Sequence, residues 1–233
     1  MTTIEHAEGD DAPGFGTGAK LGKLSFPTLS PGNAALAFLG TATTANTVAI
    51  FAPNRIVAKG DAAAGVSGAH FMTLHDPVAG QSGHLAFAAS LEKGGTPKIT
   101  AANNDGIWAF NPTDGLTLIA REGAQPADIA QPTAWKKFTS LATTADGRPL
   151  FVASIRTKRG TDTGLWATDS LGALRLLLRK GDAIGDSKVK TFVVLSSVLG
   201  SAAQTRSFNN NGSVIVRVTD SKSAQHLLRI AVP

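Results

Sequence analysis

The sequence has no cysteine and no tyrosine among its 233 residues. The first absence excludes disulfides and thiolate metal sites, though it does not identify a compartment. The second leaves only tryptophan and phenylalanine, mostly at core-like positions, for base stacking. With no recognised binding motif either, nucleic acid is not an expected partner, and a pI near 9.7 alone does not make it one. No apolar run approaches the ~20 residues of a membrane helix, so membrane insertion is not expected. Residues 1–11 are polar and acidic, unlike a signal peptide.

What the chain does have is short runs of Ala, Val, Leu and Phe punctuated by 25 Gly and 11 Pro, the texture of short strands and turns. At this length one domain spanning 1–233 is expected, with a sizeable core. Formal charge is uneven: −3 over residues 1–120, +5 over 121–190 and +3 over 191–233. The basic half favours an anionic partner if the surface has one.

A phrase recurs as Glu8-Gly9-Asp10, Lys59-Gly60-Asp61, Glu122-Gly123-Ala124 and Lys180-Gly181-Asp182, with the glycines 51, 63 and 58 residues apart. Apolar segments precede the later three copies: Ile56 to Ala58, Leu118 to Ala120 and Leu176 to Leu178. A second phrase, a turn and an apolar run, stands at Asn33 to Phe38, Gly83 to Phe87, Gly147 to Phe151 and Gly212 to Val216. A third follows at Val48 to Phe51, Gly106 to Trp108, Gly164 to Trp166 and His226 to Leu228, and a further apolar segment lies ahead around Phe26, Phe71, Phe138 and Phe192. Four strand-like segments in constant order make a four-stranded antiparallel sheet, and periods of this size point to propeller blades. A lone blade cannot bury its faces, so the copies must pack on one another.

The expected fold is therefore all-β: a four-bladed β-propeller with blades near 24–60, 71–123, 135–181 and 190–233. The last would be completed by residues 2–9, an orphan fourth strand that would seal the ring and cover two edges. The alternative is a half-ring that dimerises into eight blades, so monomer and homodimer both stay open.

The phrases resemble those of bacterial tandem-repeat proteins with an Asn-x-x-Gly-x-x-Ala-Phe motif, whose units also carry Gly-Asp-x-Ala-Pro-Gly. The first motif is closest at Gly83 to Phe87 and visible in Asn209 to Val216; the second is nearly intact at Gly9 to Gly14 and decays at Gly60 to Gly65 and Gly181 to Gly185. The resemblance covers essentially the whole chain. It implies a propeller-like fold and a secreted or surface-attached setting, and no particular activity.

Few residues suggest chemistry. Asp10, Asp61 and Asp182 follow a repeat glycine, but no second acidic residue recurs beside them as calcium would require, so an Asx-type turn is expected. His70, His75 and His84 lack the i, i+4 spacing of a zinc motif, and no metal or cofactor is expected. Trp108 and Trp166, at equivalent places, are read as inter-blade packing. No nucleophile-elbow phrase joins a Ser, His and Asp. The remaining candidates are binding residues: Arg156, Lys158 and Arg159 on one loop, with Lys136 and Lys137 of the same blade, and Trp135 beside them as an exposed aromatic.

The expected function is a non-catalytic binding or scaffold module outside the cytoplasm, taking a protein or glycan partner, of acidic character if the cations serve it, through loops on one face. The alternative is a propeller hydrolase or lyase with its site at the tunnel mouth. Buried Asp or His there would favour the enzyme, and a lining of Ala, Gly and Val the module.

Overall fold

The computed structural model describes residues 2–29, 36–52, 54–144, 146–194 and 212–233. Seventeen strands and one 3₁₀ turn at Gln81–Gly83 account for its regular structure among these residues. The first sheet holds β1 (Leu21–Leu29), β2 (Leu36–Ala42), β3 (Thr47–Ala52) and β4 (Asn54–Ala58) in chain order. The second holds β5 (Phe71–Leu74), β7 (Leu85–Leu91), β8 (Asp105–Asn111) and β9 (Gly115–Arg121), with β6 (Val78–Ala79) also pairing β7. The third is β10 (Ala134–Thr143), β11 (Pro149–Thr157), β12 (Gly160–Thr168) and β13 (Leu174–Arg179). The fourth is β14 (Ala183–Ile184), β15 (Ser187–Val194), β16 (Ser213–Asp220) and β17 (Gln225–Ala231). All pairings are antiparallel, so the chain is all-β with four sheets, each built on a path of four strands, in a propeller-like arrangement. Of the expected phrases, 33–35 and 209–211 lie outside the described residues.

The repeat phrase is the joint between sheets. Gly9, Gly60, Gly123 and Gly181 all have φ between 79° and 92°, a conformation glycine adopts without a Cβ clash. Each donates its N–H to the first inner-strand core residue that follows: Leu21 (2.7 Å), Phe71 (2.7 Å), Trp135 (3.0 Å) and Val189 (2.8 Å). Those residues donate back to the carbonyl just after the glycine, on Asp10, Asp61, Ala124 and Asp182. The aspartates cap the same turn: Asp10, Asp61 and Asp182 accept the N–H three residues earlier, from Ala7, Ala58 and Arg179, at 2.7–2.8 Å. The expected Asx-type role holds, but the bond runs backwards along the chain to i−3 rather than two residues on.

Each joint sets the core face of one sheet against the preceding sheet, aromatic in the second and third sheets and aliphatic in the fourth. Phe71, Phe87 and Trp108 share a buried cluster with Leu39, Ile50 and Val57 of the first sheet. Trp135, Phe151 and Trp166 share one with Ile107 and Ala120 of the second, and Val189, Val214 and Val216 one with Leu150 and Leu165 of the third. Trp108 and Trp166 thus pack between sheets, and their indole N–H groups donate to Ala64 (2.9 Å) and Ala127 (3.0 Å) in the intervening loops. Glycine two residues before each tryptophan makes room: a Cβ at Gly106 or Gly164 would lie 2.7 or 2.4 Å from the ring.

The seal by an N-terminal strand is not formed. Residues 2–7 adopt no strand, and among the described pairings β17 bonds to β16 alone. The segment instead rests on its own first sheet, with the His6 ring 5.1 Å from that of Phe38 and the Gly9 N–H on Leu21.

Candidate functional site

The inner strands of three sheets enclose a cleft of about 810 Å³. β1 supplies Phe26 and Leu29, the segment after β5 supplies His75 and Asp76, β8 supplies Asp105 to Ile107, and β10 supplies Phe138 to Thr143. The volume falls in the range of ligand sites, and the wall mixes apolar side chains with His75, Asp76, Asp105 and several hydroxyls. Phe26 is held there by its backbone. It sits in a break of the β1–β2 register between Ser25 and Thr28, has φ 50°, and is 54% exposed. A bulge of this kind re-aims a side chain, and a non-glycine residue in the left-handed region is strained.

Beside Asp105 lies Glu122, buried, its N–H bonded to the Asp105 carbonyl at 2.8 Å. Burial, and then the Asp105 carboxylate, push the Glu122 carboxyl up to about 7; Arg156 and Lys137 are near enough to pull it down in part. Sequence reasoning passed Glu122 over because the same repeat position is Glu8, Lys59 or Lys180 elsewhere, all exposed. Burial set by neighbouring sheets leaves no mark in the phrase itself.

The basic candidates come together in part. Ala134 and Arg156 are directly opposite in the β10–β11 ladder, which sets Lys136 and Lys137 beside the β11–β12 hairpin that carries Lys158 and Arg159. Lys136 Nζ reaches across to Thr161 Oγ1 at 2.9 Å. All five cations are exposed, and among the described residues none forms an ion pair. Asp162, the nearest acid in sequence, is engaged by Arg179 at 2.6 Å. Lys136 and Lys137 directly precede, on β10, the Phe138 to Thr143 stretch that lines the cleft.

Trp135 requires a correction. It is only 3% exposed, at the inner-strand core position equivalent to Phe71, and meets Trp166 edge-on at 4.5 Å. The joint that receives the Gly123 N–H fixes it inward, so adjacency to Lys136 and Lys137 does not make it a surface ring. The histidines separate: His75 lines the cleft, His84 Nδ1 lies 2.9 Å from the Gln81 carbonyl, and His70 bridges to Ala62. Among the described residues, no group of three His, Cys, Asp or Glu is placed to hold a metal ion, and no helix is long and apolar enough to cross a membrane.

A family model described as "Family of unknown function (DUF7453)" matches residues 2–225. The chain belongs to that family. The match takes in all four sheets except β17 beyond its first residue, Gln225, so the cleft and the cationic edge both lie within the DUF7453 region. No curated protein matches the chain.

Proposed function

We propose that this DUF7453 protein is a non-catalytic binding module, working outside the bacterial cytoplasm, that takes an acidic protein or glycan at the mouth of its central cleft. The observation that supports this most is the cluster of exposed cations Lys136, Lys137, Arg156, Lys158 and Arg159, none of which forms an ion pair among the described residues, on the sheet whose first strand also lines the cleft. Exposed charges in a group raise the local concentration of an anionic partner, and their attraction is screened as salt rises. The extracytoplasmic setting rests on the tandem-repeat resemblance.

Replacing Arg156, Lys158 and Arg159 together with Ser tests the reading. Binding to heparin or to a polyglutamate peptide should fall about tenfold or more, with a shallower salt dependence and a melting temperature within about 1 °C, because exposed charges contribute little to stability. Replacing Lys20 and Lys23 should have a much smaller effect. Equal losses at the two places would remove the reading.

A second reading, a hydrolase or lyase, has one observation in its favour. A buried carboxyl held near 7 beside a second carboxyl on a cleft wall is how an acid–base pair is prepared. Under that reading Asp105→Asn abolishes turnover of a bound glycan while leaving its affinity intact.

A further inference from the structure

The three internal joints bury one position of the third strand in each sheet completely: Ile50, Ile107 and Leu165 are all 0% exposed. Register identifies the counterpart in the fourth sheet. Leu39 faces Ile50, Ala88 faces Ile107, Val152 faces Leu165, and Arg217 faces Leu227. Leu227 is 72% exposed. Around it the same face carries Val193, opposite Arg217, and Ile215, opposite Arg229. The fourth sheet therefore shows solvent a face that its three counterparts cover, and β17 offers an open edge of the kind that recruits another strand.

The complementary face is also present in the molecule. What covers Ile50, Ile107 and Leu165 is in each case the core face of the following sheet. The first sheet has the equivalent face, Leu21, Phe38 and Phe51, with the two phenyl rings stacked at 5.2 Å, here already buried under the chain's own N-terminal segment, so that the segment is what a docking sheet would meet. Its cluster contains residues of the first sheet and the N-terminal segment and no described residue of the fourth sheet. Over it lies His6, three residues before its repeat glycine as Val57 is before Gly60. Val57 is the strand partner of Ile50. By the same register His6 is the missing partner of Leu227. Charge agrees: Glu5 and Glu8 are exposed on this segment, and Arg217 and Arg229 on the fourth sheet.

We propose that two copies of this chain join head to tail, the N-terminal segment and first sheet of each docking on the fourth sheet of the other, to close a ring of eight sheets. The second copy is the occupant because the chain's own first and fourth sheets leave Leu227 and Ile4 in solvent, the latter 81% exposed. Each new joint would repeat an internal one, with an added pair of opposite charges.

The absence of cysteine makes the test direct. Light scattering on the full chain should give twice the chain mass, and Leu227→Asp should give a single-chain mass with its melting temperature little changed. The double variant His6→Cys with Leu227→Cys should oxidise to a covalent dimer on a non-reducing gel. A single-chain mass at all concentrations with an intrachain disulfide would overturn the proposal in favour of self-closure. A dimer that survives Leu227→Asp, or a larger open-ended assembly, would overturn it as well.

Discussion

The third and fourth sheets are built on one repeat, yet the same position behaves differently in each. Leu165 is sealed under Val189, Val214 and Val216, whereas Leu227 is largely exposed. The joint entering the third sheet carries a buried Glu122 and an Ala124 with no carboxylate; the joint entering the fourth carries an exposed Lys180 and a capping Asp182. The apolar character of a repeat position states what a neighbour would find there. Whether a neighbour comes depends on the array.

The strongest way to break that comparison is to cut both positions. Leu165→Ala should destabilise by about 2–5 kcal/mol, since it leaves a cavity between two sheets. Leu227→Ala, measured by urea unfolding at concentrations where only single chains are present, should cost less than about 0.5 kcal/mol. Trp166→Ala against Leu228→Ala, the matching ladder position, should separate likewise: about 3–5 kcal/mol for the indole, which also loses its bond to Ala127, and markedly less for the half-buried leucine. Similar costs at Leu165 and Leu227 would mean the fourth sheet is covered within one chain.

The order of the four segments, the turn function of the repeat aspartates and the inter-sheet placement of Trp108 and Trp166 were all legible in the sequence. Each depends on spacing or on a local bond, such as the Asp61 carboxylate with the Ala58 N–H. What was not legible depends on geometry that spacing does not encode. The phenylalanines chosen as first-strand markers are not equivalent: Phe71 is buried at the joint, while the bulge after Ser25 turns Phe26 into the cleft. Trp135 read as exposed because it stands beside two lysines and outside a clear strand, whereas β10 includes it and turns it inward. Residues 2–9 matched a fourth strand in position, but no third strand lies alongside to pair with them in this chain.

The buried carboxylate sharpens the contrast between the joints through pH. Raised from 4.5 to about 7, Glu122 holds its proton more tightly in the folded state than in the unfolded one. Its contribution to stability is fully present below the unfolded value and is lost as pH rises through about 7. Relative to the native chain, Glu122→Gln should therefore gain stability across that window, with a melting temperature higher by about 3 °C at pH 8 and no gain at pH 5. Lys180→Gln, at the exposed counterpart, should show no such pH dependence. A pH-independent difference at Glu122 would show that its carboxyl is not perturbed.

The smallest effect concerns Ala124. Its turn matches that of Asp61: the Ala124 N–H meets the Arg121 carbonyl at 3.1 Å, as the Asp61 N–H meets that of Ala58. Ala124→Asp should let the new carboxylate accept the Arg121 N–H, as Asp182 accepts that of Arg179 at 2.7 Å. A turn cap of this type contributes about 0.5–1 kcal/mol. Here it also puts a negative charge two residues from Glu122, which Asp105 already disfavours as an anion. The two effects oppose each other only while Glu122 is ionised. The substitution should therefore stabilise by about 0.5 kcal/mol at pH 5 and by nothing, or less than nothing, at pH 8. The reverse change in the fourth-sheet joint, Asp182→Ala, should cost about 1 kcal/mol at both pH values. If Ala124→Asp gains as much at pH 8 as at pH 5, the charge at Glu122 is not what distinguishes the two joints.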